Sequence, residues 1–226
     1  MKRGKCIVIE GIDGSGKSTL VRGLHEALVE QGHLCISTFL PSNQNVGALI
    51  RSQILTGEMD LHPAANALLF AADRVAHYHQ IIEPVLAAGG HVICDRGLWS
   101  MLTYQSYREE GYSGVDVGEA LDNWLYALTA FVPNAALTLF VDTTTTTAAT
   151  RLSDRKGIAL EEGAKYELSD IQEHVLASYR AILRMAAHGG FSPGTDLIAF
   201  ISGEMNQEDV LANALEEVLN VISPQD

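Results

Sequence analysis

A glycine-rich stretch near the start of the chain constrains the fold more than any other feature. Residues 10–19 read Glu-Gly-Ile-Asp-Gly-Ser-Gly-Lys-Ser-Thr and match the pattern G-x-x-x-x-G-K-[ST]. Four apolar residues at 6–9 precede it, and apolar residues at i, i+4, i+7 and i+8 follow it from Leu20. A strand, a tight loop and a helix in this order form the context in which such a motif binds phosphate. The sequence therefore predicts a phosphate-binding loop between the first strand and the first helix.

The residues of this loop have separate parts in binding. Its glycines let successive backbone N–H groups point inward, and the helix adds the positive end of its dipole. Lys17 is expected to reach the β- and γ-phosphates of a nucleotide, and the Ser18 hydroxyl to bind Mg²⁺. A glycine-rich turn without a ligand is the alternative, and the flanking strand and helix argue against it. The predicted binding positions are Gly11, Gly14, Ser15, Gly16, Lys17, Ser18 and Thr19.

Charge and composition limit the partners of the chain. Its 226 residues include 15 basic and 28 acidic ones, for a net charge of −13, which argues against broad binding to nucleic acid or anionic membranes. The three cysteines lack metal-ligand spacing, and their odd number favours free thiols in a reducing cytosol. No apolar run reaches the length that crosses a bilayer or forms a signal peptide. We therefore expect a cytoplasmic protein, and the net charge does not exclude an anionic substrate, because binding one needs only a local basic pocket.

Strand and helix patterns alternate along the chain. This alternation predicts one α/β domain, in which a five-stranded parallel sheet has helices on both faces. Strands are expected at about 5–9, 33–40, 91–95, 136–142 and 196–201. Helices are expected at 17–31, in a short segment that ends at about 55, at 63–88 with Pro84 as a candidate kink, and directly after the third strand. Further helices are expected after a glycine-rich loop through 121–128, from 143, at 167–188 and at 207–222. The threonines at 143–147 are expected to cap a helix start.

An aspartate and an arginine follow the third predicted strand. Asp95 ends an apolar run in the manner of a Walker B aspartate, which holds Mg²⁺ directly or through water. Ligands of parallel sheets bind beyond the carboxyl ends of the strands, where ordinary carboxylates also lie, so a structural aspartate is the alternative. Arg96 suits a phosphate because arginine binds phosphate in a bidentate manner, with a solvated arginine as its alternative.

Three segments, in this order, resemble the thymidylate kinase family. They are the loop at 10–19, the run Leu68–Arg74 and the run Asp95–Gln105, and the likeness extends from about residue 5 to residue 180. The family phosphorylates dTMP to dTDP with Mg·ATP, usually as a homodimer. The resemblance therefore implies a P-loop kinase fold with a short lid at about 154–165, ATP and Mg²⁺ as cofactors, dTMP as substrate and a homodimeric assembly.

The resemblance also implies roles for individual residues. Arg74 and Arg96 would hold the acceptor monophosphate, Phe70 would stack on the base, and Tyr104 would lie under the deoxyribose. Asp13 would help to place Mg²⁺ or the acceptor phosphate. The other implied substrate-binding residues are Phe39, Pro41, Ser100, Gln105 and Tyr166.

The aromatic residues of this set have a structural alternative. Phe70 lies in an apolar cluster, and an aromatic side chain at helical spacing is more often part of a core. Arg74 lies four residues later on the same helical face, which favours a site. Tyr104 has the alternative role of a half-buried helix residue.

The predicted lid is expected to supply a catalytic cation. One branch of the family has an arginine where Gly14 stands, so resemblance to the other branch implies that a lid arginine neutralises the transferring phosphate. Arg155 is our candidate, and Arg151 beside it is assigned to the donor nucleotide. A solvated loop is the alternative. The predicted catalytic residues are thus Lys17, Arg96, Arg155 and Asp13, and the predicted metal ligands are Ser18, Asp95 and Asp13.

Three departures from the family pattern concern the acceptor. Phe39-Leu40-Pro41-Ser42 stands where many bacterial members have Arg-Glu-Pro-Gly, Gly97 replaces a frequent tyrosine, and Met101 replaces a polar residue. These departures leave the choice of acceptor base open.

Two other functions compete with the kinase of nucleoside monophosphates. A deoxynucleoside kinase needs a base for the 5′-hydroxyl, and the segment 39–45 contains no carboxylate. A GTP-dependent switch needs an Asn/Thr-Lys-x-Asp motif, which does not occur in the sequence.

Overall fold

Five parallel strands form one sheet in the order β2-β3-β1-β4-β5. They are β1 Cys6–Glu10, β2 Cys35–Phe39, β3 His91–Asp95, β4 Leu137–Asp142 and β5 Leu197–Ser202. The structure is a computed structural model that describes residues 2–105, 127–128, 130–156, 169–188 and 197–223. The predicted five-stranded parallel sheet is confirmed, and the strand boundaries differ from the predicted ones by at most two residues.

Helices cover both faces of the sheet, as the alternating pattern predicts. One face packs against α1 and α8 through side chains such as Leu24 and Val218, and the other against α3, α5 and α7 through side chains such as Trp99 and Tyr179. The helices are α1 Lys17–Glu30, α2 Asn45–Leu49, α3 Pro63–His77, α4 Glu83–Ala87, α5 Leu98–Gln105, α6 Thr145–Lys156, α7 Ser169–Ala187 and α8 Gln207–Ile222. No helix in the described part of the chain is both long and apolar enough to span a membrane.

Two π-helical turns interrupt the helical segments. One, Ile50–Ile54, continues α2, and the other, Tyr78–Ile82, separates α3 from α4. The helix predicted over 63–88 is therefore divided just before Pro84, which has no N–H to donate to the preceding turn. Such turns are rare and frequently occur at functional sites.

Some predicted elements can be compared with the structure and others cannot. The threonine run does cap a helix, since the backbone N–H of Thr147 donates to Thr144 Oγ1 at 3.3 Å at the start of α6. The glycine-rich loop at 111–118, most of the helix through 121–128 and the lid beyond residue 156 lie outside the described residues.

The carboxyl ends of the central strands converge beside the glycine-rich loop. Asp95 pairs in register with Ile9 on one side and with Phe39 on the other, and Glu10 follows Ile9 directly into the loop. Since ligands of parallel sheets bind beyond this edge, the strands alone place the candidate site here.

Candidate active site

The loop between β1 and α1 has the backbone of a phosphate cradle. Gly11, Gly14 and Gly16 have φ values of 150°, 81° and 101°, which lie in the left-handed region that favours glycine. The Lys17 ammonium crosses the loop and donates to the Ile12 carbonyl at 2.7 Å. The first N–H groups of α1 start at this point, so a bound anion would meet both the lysine and the helix dipole.

Lys17 is buried in this loop beside several charges. Burial and the Arg96 cation together lower the pKa of its ammonium to about 8, whereas Asp13 and Asp95 oppose the shift. A cation held in this way without an adjoining anion is unfavourable, because desolvation penalises the charged form. The loop is therefore suited to a ligand that brings negative charge.

Ser18 and Asp95 form an oxygen pair at the start of α1. The Ser18 hydroxyl donates to Asp95 Oδ2 at 2.7 Å, which joins the loop to the end of β3. Mg²⁺ prefers oxygen ligands and commonly binds one or two protein oxygens together with phosphates and water, so this pair fits the ion. The described residues contain no cluster of three or more His, Cys, Asp and Glu side chains that could hold a metal.

An ion pair between Asp13 and Arg96 lies next to the loop. Arg96 Nη2 contacts Asp13 Oδ1 at 2.5 Å, and the Tyr104 hydroxyl donates to Asp13 Oδ2 at 3.3 Å. Burial raises the pKa of Asp13, but the Arg96 and Lys17 cations outweigh it and hold this pKa below its ordinary value. Arg96 also has a φ of 73°, an unusual backbone conformation for a residue other than glycine. The carboxylate therefore fixes the guanidinium at the cleft.

Glu10 is a buried carboxylate that our sequence analysis did not single out. It is 0% exposed, and its Oε1 accepts from the backbone N–H groups of Gly97 at 2.9 Å and Ser100 at 3.1 Å. Its Oε2 accepts from the hydroxyls of Tyr179, at 2.9 Å, and of Ser100. Burial raises the pKa of Glu10, and the Ser100 hydrogen bond opposes this. Glu10 thereby joins the loop to α5 and α7, and only the tertiary structure reveals it.

A pocket of about 210 Å³ opens beside the loop between α3 and α5. Arg74, only 8% exposed, lies in its wall, and the Nε2 of buried Gln105 has no hydrogen-bond partner among the described residues. The pocket therefore presents a cation and a polar group to a ligand. Its lining contains eight of the predicted substrate-binding residues, together with Met101 and Gly97; the eight are Asp13, Pro41, Phe70, Arg74, Arg96, Ser100, Tyr104 and Gln105.

A larger cleft of about 950 Å³ follows the glycine-rich loop. It contains residues 13–19, Phe39, Pro41, Asp95 and Arg151, and it extends to the segment after β5. Its walls and those of the smaller pocket have five residues in common, which are Asp13, Leu40, Pro41, Leu55 and Arg96. Ligands in the two cavities would meet at this boundary, where the Asp13–Arg96 ion pair lies.

Arg151 reaches the cleft from α6. Its guanidinium donates to the carbonyls of Ser15 at 3.3 Å and Gly203 at 2.8 Å. A Cβ at Gly14 would lie 2.3 Å from the Ala148 carbonyl oxygen, so α6 leaves no room for the arginine that one family branch has there. The side chain of Arg155 and the whole of Tyr166 lie outside what the structure describes.

Two further site residues, Arg51 and Asp73, were missed in the sequence. Arg51 lies in the first π-helical turn, and no periodicity or motif marks it. Asp73 is 2% exposed and accepts from the Ser42 backbone N–H at 2.7 Å and the Ser42 hydroxyl at 2.6 Å, so it fixes the turn after Pro41. Its position directly before Arg74, inside a run that resembles the family, was a signal that could have identified it.

The chain is similar to known proteins over most of its length. A family model described as thymidylate kinase matches residues 9–189. A probable thymidylate kinase from Caldivirga maquilingensis is 36% identical over 177 residues, which cover 77% of this chain and 82% of that protein. A probable thymidylate kinase from Pyrococcus abyssi is 33% identical over 223 residues, 97% of this chain and 100% of that protein. The thymidylate kinase of Neorickettsia sennetsu is 39% identical over 135 residues, 60% of this chain and 64% of that protein.

Proposed function

The chain belongs to the thymidylate kinase family, and we propose that it transfers the γ-phosphoryl group of ATP to dTMP, giving dTDP and ADP. The observation that carries this proposal is the pair of cavities that meet at Asp13 and Arg96. One is lined by the phosphate-binding loop, and the other is a small pocket with arginines in its wall. Two phosphate-bearing ligands in these cavities would have their phosphates side by side.

The donor side is assigned to the glycine-rich loop. Its backbone N–H groups and Lys17 would hold the β- and γ-phosphates of ATP, and Arg151 would contact the nucleotide near the segment after β5. Ser18 and Asp95 would hold Mg²⁺, which neutralises phosphate charge when it is bound. Asp13, already paired with Arg96, then acts by orienting that arginine.

The acceptor side is assigned to the smaller pocket. Arg74 and Arg96, with Arg51 at the boundary, would bind the acceptor phosphate, while Phe70 and Gln105 would contact the base. Phosphoryl transfer requires two phosphates in line and their charge neutralised more than it requires a strong base. The cations that surround the boundary would neutralise the charge of the two phosphates.

A monophosphate acceptor is favoured over an unphosphorylated nucleoside. Two buried or half-buried guanidinium groups, those of Arg74 and Arg96, line the acceptor pocket, and arginine side chains are suited to binding a phosphate. The segment 39–45 also has no carboxylate that could accept a hydroxyl proton. Measuring ADP release with dTMP, dUMP, dCMP, dGMP and UMP, and with the nucleoside thymidine, tests the proposal. Turnover with a nucleoside but none with dTMP would contradict it.

Shortening Tyr104 to alanine is expected to weaken discrimination against ribose. The ring is buried between α5 and α7, and its hydroxyl contacts Asp13, so it lies beside the position of the acceptor sugar. A ring there excludes a 2′-hydroxyl by clash and by leaving that hydroxyl unpaired, which is worth about a hundredfold. The measurement is kcat/KM for dTMP and for ribothymidylate in both proteins.

Tyr104→Phe is the matched control, since it keeps the ring and removes only the hydroxyl. This variant is expected to retain the preference for dTMP, although it loses the contact with Asp13. An unchanged ratio in Tyr104→Ala would show that the ring only packs.

Asp95→Asn is expected to raise the Mg²⁺ concentration that gives half-maximal activity by about tenfold or more. The substitution keeps the shape of the side chain but removes the charge that Ser18 now contacts at 2.7 Å. Activity is measured as a function of free Mg²⁺ at saturating ATP. Asp142→Asn is the control, because Asp142 also ends a strand but pairs with Arg180 and lines neither cavity. Equal Mg²⁺ dependence of both variants would remove Asp95 from the metal site.

The remaining assignments are proposals that rest on family membership. We propose a cytoplasmic homodimer, and the exposed Leu49 and Leu68 on the adjoining helices α2 and α3 offer it apolar surface. Arg155, in the last turn of α6, remains our candidate for the catalytic cation of the lid, and Tyr166 for a substrate contact.

A further inference from the structure

The guanidinium of Arg51 is held against the segment that follows β2. Its central carbon lies 4.5 Å from the centroid of the Phe39 ring, a distance at which a cation is attracted by the ring face. Its Nε donates to the Pro41 carbonyl at 2.7 Å. These two contacts fix the position and the plane of the guanidinium at once.

The two Nη atoms of this guanidinium remain available to a ligand. Among the residues that the structure describes, neither Nη atom of Arg51 has a hydrogen-bond partner, and no carboxylate lies within ion-pair distance. The side chain lines the large cleft beside Pro41 and Leu55, two residues that also line the acceptor pocket. Arg51 therefore presents up to four N–H donors at the boundary between the two cavities.

The charges around Arg51 favour an anion there. Burial and the Arg96 cation lower the pKa of Arg51, and Asp73 and Asp95 act in the opposite direction. Asp73 is already satisfied by Ser42, and Asp95 by Ser18. Neither carboxylate is therefore committed to Arg51.

Phe39 is one of the departures from the family pattern, because it replaces an arginine of the Arg-Glu-Pro-Gly segment. A second cation at this position would repel Arg51, whereas the ring attracts it and forms no hydrogen bond that competes with a phosphate. The ring is half-buried and lines the large cleft rather than the acceptor pocket. The cation–π contact of this ring is with Arg51.

We propose that Phe39 is a positioning residue, whose ring holds the Arg51 guanidinium at the boundary of the two cavities so that Arg51 binds the phosphate of the acceptor. This inference rests on the proposed function. Fixing a long side chain before the ligand arrives removes part of the entropy cost of binding. We therefore expect the contact to raise the affinity for the acceptor and to leave the affinity for ATP unchanged.

Phe39→Leu is the principal test variant, because leucine keeps an apolar side chain but removes the ring. It is expected to raise both the KM and the dissociation constant for dTMP about three- to tenfold, as cation–π attraction and preorganisation are lost. We expect kcat and the KM for ATP to change less than twofold. Phe39→Tyr, which keeps the ring, should match the wild type.

A double-mutant cycle with Arg51→Ala separates positioning from packing. Arg51→Ala is expected to weaken dTMP binding tenfold or more, and adding Phe39→Leu to it should then have no further effect. A merely structural role of Phe39 would give the same loss in both backgrounds. Equal losses in the two backgrounds, or a loss in kcat alone, would overturn the inference.

Phe200→Leu is the matched control, since it removes a partly exposed ring from β5 and should leave the KM for dTMP unchanged. The assay also separates this inference from the proposed function. If the wild type is active and the substitutions at Phe39 and Arg51 weaken dTMP binding independently of each other, only the positioning role of Phe39 is overturned. A wild type that neither binds nor phosphorylates dTMP overturns the proposed function, and with it the assignment of Arg51 to that acceptor.

Discussion

Arg96→Ala is expected to lower kcat/KM for dTMP phosphorylation about a thousandfold. Arg96 lies at the boundary of both cavities and is the cation that both phosphates would approach. Charge-assisted hydrogen bonds to phosphate are among the strongest in proteins, and a fixed donor acting on developing charge is worth about a hundred- to a thousandfold by itself. Loss of its effect on phosphate alignment adds to this.

The same substitution also affects stability, because it leaves Asp13 without its partner. Their contact is 2.5 Å, and the Arg96 side chain is only 16% exposed. Removing one member of a fully buried pair costs about 3 kcal/mol, and the cost here is expected to be smaller, about 1–2 kcal/mol, because the Asp13 side chain is 33% exposed. Turnover must therefore be measured well below the midpoint of thermal unfolding, with circular dichroism of the variant as a check.

Arg180→Ala is the matched control for Arg96→Ala. It also removes an ion-paired arginine, whose Nη2 contacts Asp142 at 2.8 Å, but it lies on α7 outside both cavities. Its kcat/KM should stay within about twofold of the wild type. If Arg96→Ala kept more than about a tenth of wild-type kcat/KM, a loss below 1.4 kcal/mol, Arg96 would not bind the phosphates as assigned.

Lys17→Met is expected to lower kcat about a thousandfold and to stabilise the nucleotide-free protein at pH 7. The loss of activity follows because Lys17 is the loop cation closest to the transferred phosphate. The gain in stability follows because burial lowers the pKa of Lys17 to about 8. Keeping the ammonium charged without an anion therefore opposes folding, and the apolar methionine does not carry this penalty.

The pH dependence of this stability difference has a definite sign. The unfolded chain keeps Lys17 protonated up to about pH 10.5, whereas the folded protein releases the proton from about pH 8. Between these values the unfolded state binds more protons, so the free energy of unfolding of the wild type rises with pH. The shift corresponds to about 3 kcal/mol, and the advantage of Lys17→Met should shrink by this order between pH 8 and 10.5.

The measurement is urea unfolding of both proteins across this pH range, in a buffer free of phosphate. Taking the difference between the two proteins cancels the other groups that titrate there, such as Cys35, whose pKa burial raises to about 11. Lys2→Ala, at an exposed lysine, should follow the wild type in stability and in turnover. A difference that does not vary with pH would show that the Lys17 pKa is close to its ordinary value.

The parts of the fold that were predictable are those encoded by adjacent residues. The strand β1, the loop and α1 follow one another within 25 residues, and their pattern carried the prediction of the phosphate site. The apolar runs before Asp95 and Asp142 predicted strands because buried parallel strands require continuous apolar sequence. The long helix over 63–88 was predicted as one element, since periodicity does not register the π-helical turn before Pro84.

The acceptor side was predictable only through resemblance to a family. The spacing of Arg74 from Phe70 favoured a site but did not decide it, and nothing in the periodicity of α5 distinguishes Gln105, because core packing and ligand binding use the same spacing. Arg51 and Glu10 were missed altogether. The contacts that identify them join residues from segments separated along the chain.

By itself the sequence determined the phosphate-binding loop and the five-stranded α/β architecture, because backbone conformation and hydrophobic burial depend on neighbouring residues and their period. Only the tertiary structure decided which partners the charged side chains contact. It paired Asp13 with Arg96, buried Glu10 among donors from α5 and α7, and placed Arg51 on the Phe39 ring. The physical reason is that desolvation and Coulomb interactions depend on distance in space, and these partners are brought together by the pairing of β1 with β3 and by the packing of helical segments on the sheet.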